Sequence, residues 1–366
     1  MKAVVTVVKR AVAVMVFLCL LSTLLLWAGG LCTLNSENSE KRCWDLYYTM
    51  KNETLDMVFV GSSTVYSFYC HAQAYDEQKI HSLALFSSAK PAETIPYLLN
   101  EIVKYNNTEL IAVELRNLLK DDCKEEIENM EERYHYRALS LSMMKPLSMN
   151  RIRGVFDLLS DNKSVPTIEY LFPILQYHED IYTYPLSFVY ANKRDFENFY
   201  GFCDITEATD FSEEEQKLQN ETPSGKYHLS EKSKKLIDEM VKIVDSHGIK
   251  LLFVLTPYIY STDEYVVACE IRDYLAEKNC DFLNCNDYTE EIGMDSSSDY
   301  YDLSHVNAVG THKFTSWFAK YLREHYDFYD DYTEEINEKW DRLAAGWREV
   351  YSRLADEIGE EIASNA

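Results

Sequence analysis

Positive charge is scarce in this 366-residue chain: 36 Lys and Arg stand against 61 Asp and Glu, a formal balance of −25. The first 34 residues carry three cations and no acid, so the remainder stands at −28. Such an excess argues against nucleic acid as a partner and against docking on anionic lipid or polyphosphate. A CxxC spacing is also missing, which removes zinc-ribbon and thioredoxin-like motifs. Nine cysteines are present, seven of them beyond residue 34: Cys43, Cys70, Cys123, Cys203, Cys269, Cys280 and Cys285. An odd number leaves at least one unpaired or bridged between chains. Hydrophobic periodicity, finally, is lacking from Lys120 to Lys234 outside Val165 to Tyr177. That stretch, rich in Tyr, Glu, Asp and Asn, reads as an insertion of helices and loops able to line or cover a groove.

What is present begins with an anchor. Lys2, Lys9 and Arg10 precede an uncharged run from Ala11 to Leu34, and Glu37 and Glu40 follow it. The run is long enough to cross a hydrocarbon core of about 30 Å at about 1.5 Å per residue. The basic residues before it place the N-terminus in the cytoplasm and the rest outside, a single-pass membrane protein with an extracytoplasmic domain. A cleaved signal ending near Ala28-Gly29-Gly30 is the competing reading, but its apolar region would be unusually long. Residues 35–42 read as a short tether, and a folded domain is expected over 43–329 with its insertion at 120–228.

Within that domain, Leu55 to Val60 is a short apolar run suited to a strand buried on both faces. A strand at His81 to Phe86, a helix at Pro91 to Tyr105 and a strand at Leu110 to Leu115 follow. A helix at Ser230 to His247 ends at Gly248, and a strand at Leu251 to Leu255 comes next. A helix at Glu264 to Lys278, a strand at Asp281 to Leu283 and a helix at Phe314 to Tyr326 complete the pattern. Alternation of this kind predicts a three-layer α/β/α fold with a parallel central sheet. In the acidic tail, 330–366, Ile336, Trp340, Leu343, Trp347, Val350 and Leu354 recur at intervals of 4, 3, 4, 3 and 4, which predicts a helix packed on the domain or docked on a partner.

Two segments carry the chemistry. Gly61-Ser62-Ser63 follows the first buried strand, which puts Ser63 on a turn entering a helix. Asp302-Leu-Ser-His305 lies about 240 residues downstream. A serine becomes nucleophilic when an imidazole takes its proton and a carboxylate orients that imidazole. Asp295, Asp299, Asp302 and His305 together could instead hold a divalent cation, although solvated loop acids are the commoner occupants of such a run. Asn52, Asn106, Asn162 and Asn220 begin Asn-x-Ser/Thr sequons, which matter only in a eukaryotic secretory pathway. The 28 tyrosines suit carbohydrate stacking and ordinary packing equally.

The order of these segments resembles the SGNH (GDSL-like) hydrolase superfamily, in particular its membrane-anchored extracytoplasmic bacterial branch related to the D-alanine-transfer protein DltD and alginate O-acetyltransferase-like proteins. Val58-Phe-Val-Gly-Ser-Ser-Thr64 is similar to the first block of that family, which maps the nucleophile onto Ser63. Ala84-Leu-Phe86-Ser-Ser-Ala-Lys-Pro91 is similar to the second block, and Asp302-Leu-Ser-His305-Val-Asn307 with Gly310 to the last. Leu252-Phe-Val-Leu-Thr-Pro257 matches the strand before the final loop. Residues 55–118 and 229–324 are covered, and the middle is unmatched.

The resemblance implies a Ser63–His305–Asp302 triad with oxyanion donors at the Ser63 and Phe86 amides. Phe86 stands where the family has glycine, and no third-block Gly-x-Asn follows Leu110 to Leu115. Glu114-Leu-Arg116-Asn117 stands there instead, so Asn117 is either a substitute donor or an ordinary polar loop residue. The implied activity is a serine esterase or O-acyltransferase acting on acyl esters of cell-surface glycans or related polymers, with no cofactor and with a membrane partner that delivers the acyl group in the transferase case. The alternative is a catalytically lapsed, membrane-tethered binding or assembly protein, favoured by Phe86 and the missing third block.

Overall fold

The computed structural model describes residues 2–33, 39–50, 52–105, 107–124, 129–172, 174–175 and 204–365. Five strands form one parallel sheet: β1 (Leu55–Gly61), β2 (Ser82–Phe86), β3 (Thr108–Glu114), β4 (Lys250–Leu255) and β5 (Asp281–Asn284). Their spatial order is β2-β1-β3-β4-β5. Phe59 on β1 pairs with Ala84 on β2 and with Ala112 on β3, which in turn pairs with Leu252 on β4. Every residue of β1 is buried, as the continuous apolar run requires of a strand with neighbours on both edges. Its one charged residue, Asp56, accepts hydrogen bonds from the His81 amide at 2.7 Å and the Tyr332 hydroxyl at 2.6 Å.

The helices flank this sheet. Ile95–Val103 and Glu231–Asp245 pack together, while His71–Gln78, Ala308–His325 and Glu334–Asn365 form a second group. Right-handed crossovers running in opposite directions from β1 put these groups on opposite faces, giving a mixed α/β fold with a parallel core. Because the chain leaves β1 first towards β2 and later towards β3, the carboxyl ends of β1 and β3 flank a topological switch point, where ligand crevices form in open sheets of this kind.

The element boundaries differ from expectation in three places. A helix begins at Ser39 and runs to Thr49, across part of the expected tether; residues 34–38 lie outside the described residues. The last helix of the domain begins at Ala308 rather than Phe314, because Asn307 caps it, accepting from the Val309 and Gly310 amides. Two helices, Met130–Ser142 and Met149–Leu159, occupy a stretch that showed no periodicity. Their buried faces include Arg133 and Arg151, so ion pairs and carbonyl contacts replace part of the apolar stripe that marks a helix in sequence.

Residues 176–203, with Cys203 and the end of the Val165 to Tyr177 run, lie outside the described residues, as does Asn106; the described part of that run holds a short helix, Thr167–Leu171. At the N-terminus, Lys2–Thr33 is helical, and Val4–Leu26 is long and apolar enough to cross a membrane. The C-terminal helix, Glu334–Asn365, buries Trp340, Leu343, Trp347 and Leu354, with Trp340 against Tyr75 and His71 of the helix His71–Gln78. The cysteines whose side chains are described, Cys19, Cys43, Cys70, Cys123, Cys269, Cys280 and Cys285, are all free thiols.

Candidate active site

The turn after β1 is built on close approach. A Cβ added at Gly61 would lie 2.3 Å from Val65 Cγ2 and 2.7 Å from Glu114 Cβ, so any side chain there would push the turn off β3. Ser62 follows in an extended conformation, and Ser63 is the first residue of the helix Ser63–Phe68. Strand residues before it and a helix after it leave the Ser63 hydroxyl at the carboxyl edge of the sheet.

The opposite wall is a small hairpin. Tyr300–Asp302 (β6) and His305–Val306 (β7) pair antiparallel, with Asp302 across from His305. The Ser304 amide donates to Asp302 Oδ1 at 2.7 Å, closing the turn. Several contacts pin this hairpin to the domain. The Tyr300 hydroxyl donates to the Pro257 carbonyl at 2.6 Å, the Ile259 amide to the Leu303 carbonyl at 3.0 Å, and the Val306 amide to Ser67 Oγ at 3.1 Å. Gly310 lets the following helix approach: a Cβ there would sit 2.6 Å from both the Asp299 carbonyl and Val306 Cβ.

These two walls bring three predicted residues together. Ser63 Oγ lies 2.7 Å from His305 Nε2, and His305 Nδ1 lies 2.8 and 2.9 Å from the two oxygens of Asp302. An ionised carboxylate only accepts, so Nδ1 carries the ring proton and Nε2 accepts from the serine hydroxyl. Partial burial pushes the Asp302 carboxyl upward. The hydrogen bonds from His305 and from the Ser304 and His305 amides, with the attraction of the imidazole, outweigh it and hold the group below the usual carboxylate range. The Tyr301 ring stacks on His305, centroids 5.5 Å apart and planes 13° from parallel.

The side chains of the other two expected oxyanion residues make separate contacts. Phe86 ends β2, its ring buried and stacked on Tyr66 of the Ser63 helix at 4.4 Å. Asn117 turns its side-chain amide to the Lys90 carbonyl at 2.7 Å and lines a cavity of about 310 Å³ with Lys90, Lys120 and Arg133. Its described partner is therefore the loop after β2, not a triad residue. The possible cation cluster does not form: Asp299 is buried and salt-bridged to Lys313 at 2.7 Å, and it accepts from the Asp295 amide. Among the described residues, no three His, Cys, Asp or Glu side chains converge as a metal-binding group.

Sequence reasoning missed the charged layer beneath the site. Glu114, at the end of β3, is pushed up to about 7 by burial, against the pull of Arg116, a hydrogen bond from Thr64, and Lys90. Lys90 is fully buried and pushed down to about 7 by desolvation, opposed by Glu40, Cys43 and Glu114. Arg116 lies over the Tyr258 ring at 4.6 Å and donates to the Ser304 hydroxyl. A signal was available: Glu114 closes the apolar run 110–113 and Arg116 follows two residues later, where an unpaired charge would be costly.

No family model matches this chain, and no curated protein matches it. Among solved structures, a Bacteroides fragilis protein described as a "putative acylhydrolase" aligns over 76% of this chain and 95% of its own, with 9% identity and a TM-score of 0.35. That likeness is too slight to transfer a function.

Proposed function

We propose that the chain is an extracytoplasmic serine esterase or O-acyltransferase of the SGNH type, acting on acyl esters of a cell-surface glycan or related polymer. The observation that carries this reading is the continuous relay from Ser63 Oγ through His305 to Asp302, at 2.7 and 2.8 Å. In the proposed cycle Ser63 Oγ attacks the acyl carbonyl carbon while His305 Nε2 takes its proton. The tetrahedral oxyanion is met by the Ser63 and Phe86 amides, and the C–O bond to the leaving alcohol breaks as His305 returns the proton to that oxygen. Water or a sugar hydroxyl then attacks the acyl-serine with His305 again as base, giving hydrolysis or transfer. Asp302 keeps the imidazole in the required tautomer and stabilises its protonated form.

The membrane-spanning reading of the N-terminal helix supports an address at the cell envelope, and the basic residues before it support an outward-facing domain. A lapsed, binding-only descendant is the second reading. It draws support from Asn117, whose amide donates to Lys90, and from the Phe86 ring beside the Ser63 helix. Turnover of p-nitrophenyl acetate and labelling by a fluorophosphonate probe separate the two. The enzyme reading expects both, and both abolished in Ser63→Ala and His305→Ala. An unmutated chain that neither turns over the ester nor accepts the probe would leave the binding reading.

A further inference from the structure

The net charge of the chain hides, beyond the N-terminal helix, a second segment of opposite sign. From Arg133 to Phe156 there are five Arg and Lys residues and no Asp or Glu, in a chain where acids outnumber bases 61 to 36. Three of the five are committed internally. Arg133 and Arg137 meet the Glu93 carboxylate, and Arg151 donates to the Pro146, Tyr170 and Leu171 carbonyls. Lys145 and Arg153 face solvent. Beside them, Leu147, Met149 and Phe156 are 67%, 61% and 51% exposed. Met149, Arg153 and Phe156 follow one another at four and three residues along the helix Met149–Leu159, which puts them on one face. Its other face is buried through Gly154, Val155 and Leu159.

This surface lies close to the membrane anchor. The helix that spans Lys2–Thr33 and the helix that begins at Ser39 are separated by five residues, a reach of at most about 20 Å. Along that second helix runs the 142–145 segment: Lys41 Nζ donates to the Met143 carbonyl at 2.9 Å, the Lys145 amide donates to the Tyr48 hydroxyl at 3.1 Å, and Lys145 Nζ sits over the Tyr48 ring. Leu147 and Met149 follow directly.

We propose that Leu147, Met149 and Phe156, rimmed by Lys145 and Arg153, seat the folded domain on the anionic surface of the bilayer that holds its anchor. Exposed apolar side chains beside basic ones are the makeup of an interfacial contact. Asp157, the next residue along the helix after Phe156, is exposed and accepts from the Tyr97 hydroxyl at 2.8 Å, so the rim sets two cations against one acid, and charges more than about 10 Å away are largely screened at physiological salt. The proposal rests on the Lys2–Thr33 helix spanning the membrane and is independent of the Ser63 chemistry.

The test uses the full chain in nanodiscs of equal parts phosphatidylcholine and phosphatidylglycerol. A benzophenone amino acid replaces Leu147, Met149 or Phe156 one at a time, or Glu349 as the exposed control on the C-terminal helix. Irradiation should give lipid adducts at the first three positions and few at the control. The double variant Lys145→Glu, Arg153→Glu should lower those yields by roughly tenfold, as should discs of phosphatidylcholine alone. Adducts at control level, or crosslinks from all three positions to residues 176–203 or to a second copy, would overturn the proposal, since the face would then be covered by protein. Yields indifferent to lipid charge and to the double variant would overturn its electrostatic part.

Discussion

The guanidinium of Arg116, first residue of the helix Arg116–Asp122 that follows β3, donates to the hydroxyl of Ser304, the residue immediately before His305. A side chain at the start of that helix thus holds the turn that carries His305 and Asp302, the proposed base and its carboxylate. Tyr258 supports the guanidinium from one side, so this is a positioning contact rather than a group that meets substrate. Arg116→Ala is expected to lower kcat for p-nitrophenyl acetate about ten- to a hundredfold, with KM changing little, because alignment is lost and not ground-state binding. Arg116→Lys keeps the charge but not the planar fork, and should fall between. An unchanged kcat in Arg116→Ala would mean that the Tyr300 and Ile259 contacts suffice to hold the hairpin.

Asp302→Asn tests the relay itself. An asparagine amide that donates to Nδ1 would leave the proton on Nε2, the wrong nitrogen to receive the Ser63 proton. The loss should reach about 10⁴-fold in kcat with the fold retained. The same carboxyl makes a statement about pH. Its value lies below the ordinary 3.8, so Asp302 stays ionised as pH falls from neutrality and protonates only below that value. Asp302 should therefore show no titration between about pH 4 and 7 in carboxyl carbon-13 NMR, and a titration step in that range would overturn this reading.

How legible this site was depends on where the physical signal lies. Gly61 and Ser63 stood out as the abrupt end of an apolar strand, and Asp302 and His305 by their spacing, whereas Asn307 and Gly310 were marked only by the family resemblance and their jobs as cap and close approach are seen in the structure. The strands were readable because burial on both faces demands unbroken apolar runs, as in β1. Arg116 and Lys90 were not readable as site neighbours, since their partners Ser304 and Glu114 are distant in the chain or belong to a different element. Likewise the helix Met130–Ser142 escaped notice because Arg133, which looks like a surface residue, is buried against Glu93. Asn117 was readable as polar but not as a ligand of the Lys90 carbonyl, a contact that only the packing of the loop after β2 determines.

Glu93 gives the fold an acid limit. Burial raises its carboxyl, but bonds from Arg133 and attraction to Arg133 and Arg137 bring it down from 4.5 to about 2. A depressed carboxyl contributes stability that is present above its unfolded value and lost as pH falls through its folded one. The contribution, about 3 kcal/mol at 1.36 kcal/mol per unit, should therefore disappear between about pH 4.5 and pH 2. Glu93→Gln should flatten the stability curve in that window and lower stability near neutrality by about 3 kcal/mol, because Arg133 and Arg137 lose their shared carboxylate and keep Asp121 and the Leu158 carbonyl respectively. Urea unfolding of both proteins across the acid range would read this directly, and parallel curves would assign the acid sensitivity to other carboxylates.

Trp340 decides whether the C-terminal helix belongs to the domain. The side chain is fully buried, 5.4 Å from Tyr75, 5.1 Å from His81 and 6.0 Å from His71 between ring centroids. His81 itself stacks on Tyr332, whose hydroxyl donates to Asp56 inside β1. The contacts run without a break from helix to central strand, so Trp340→Ala should destabilise the whole domain by about 3–5 kcal/mol. Arg348→Ala, which removes only the exposed bridge to Asp76, should cost no more than about 1 kcal/mol. Both variants should show one unfolding transition, with esterase activity and near-ultraviolet circular dichroism lost together. If Trp340→Ala instead releases the helix in a separate early step and leaves turnover intact, the helix is an appended module, and the cluster around His81 is its socket rather than part of the core.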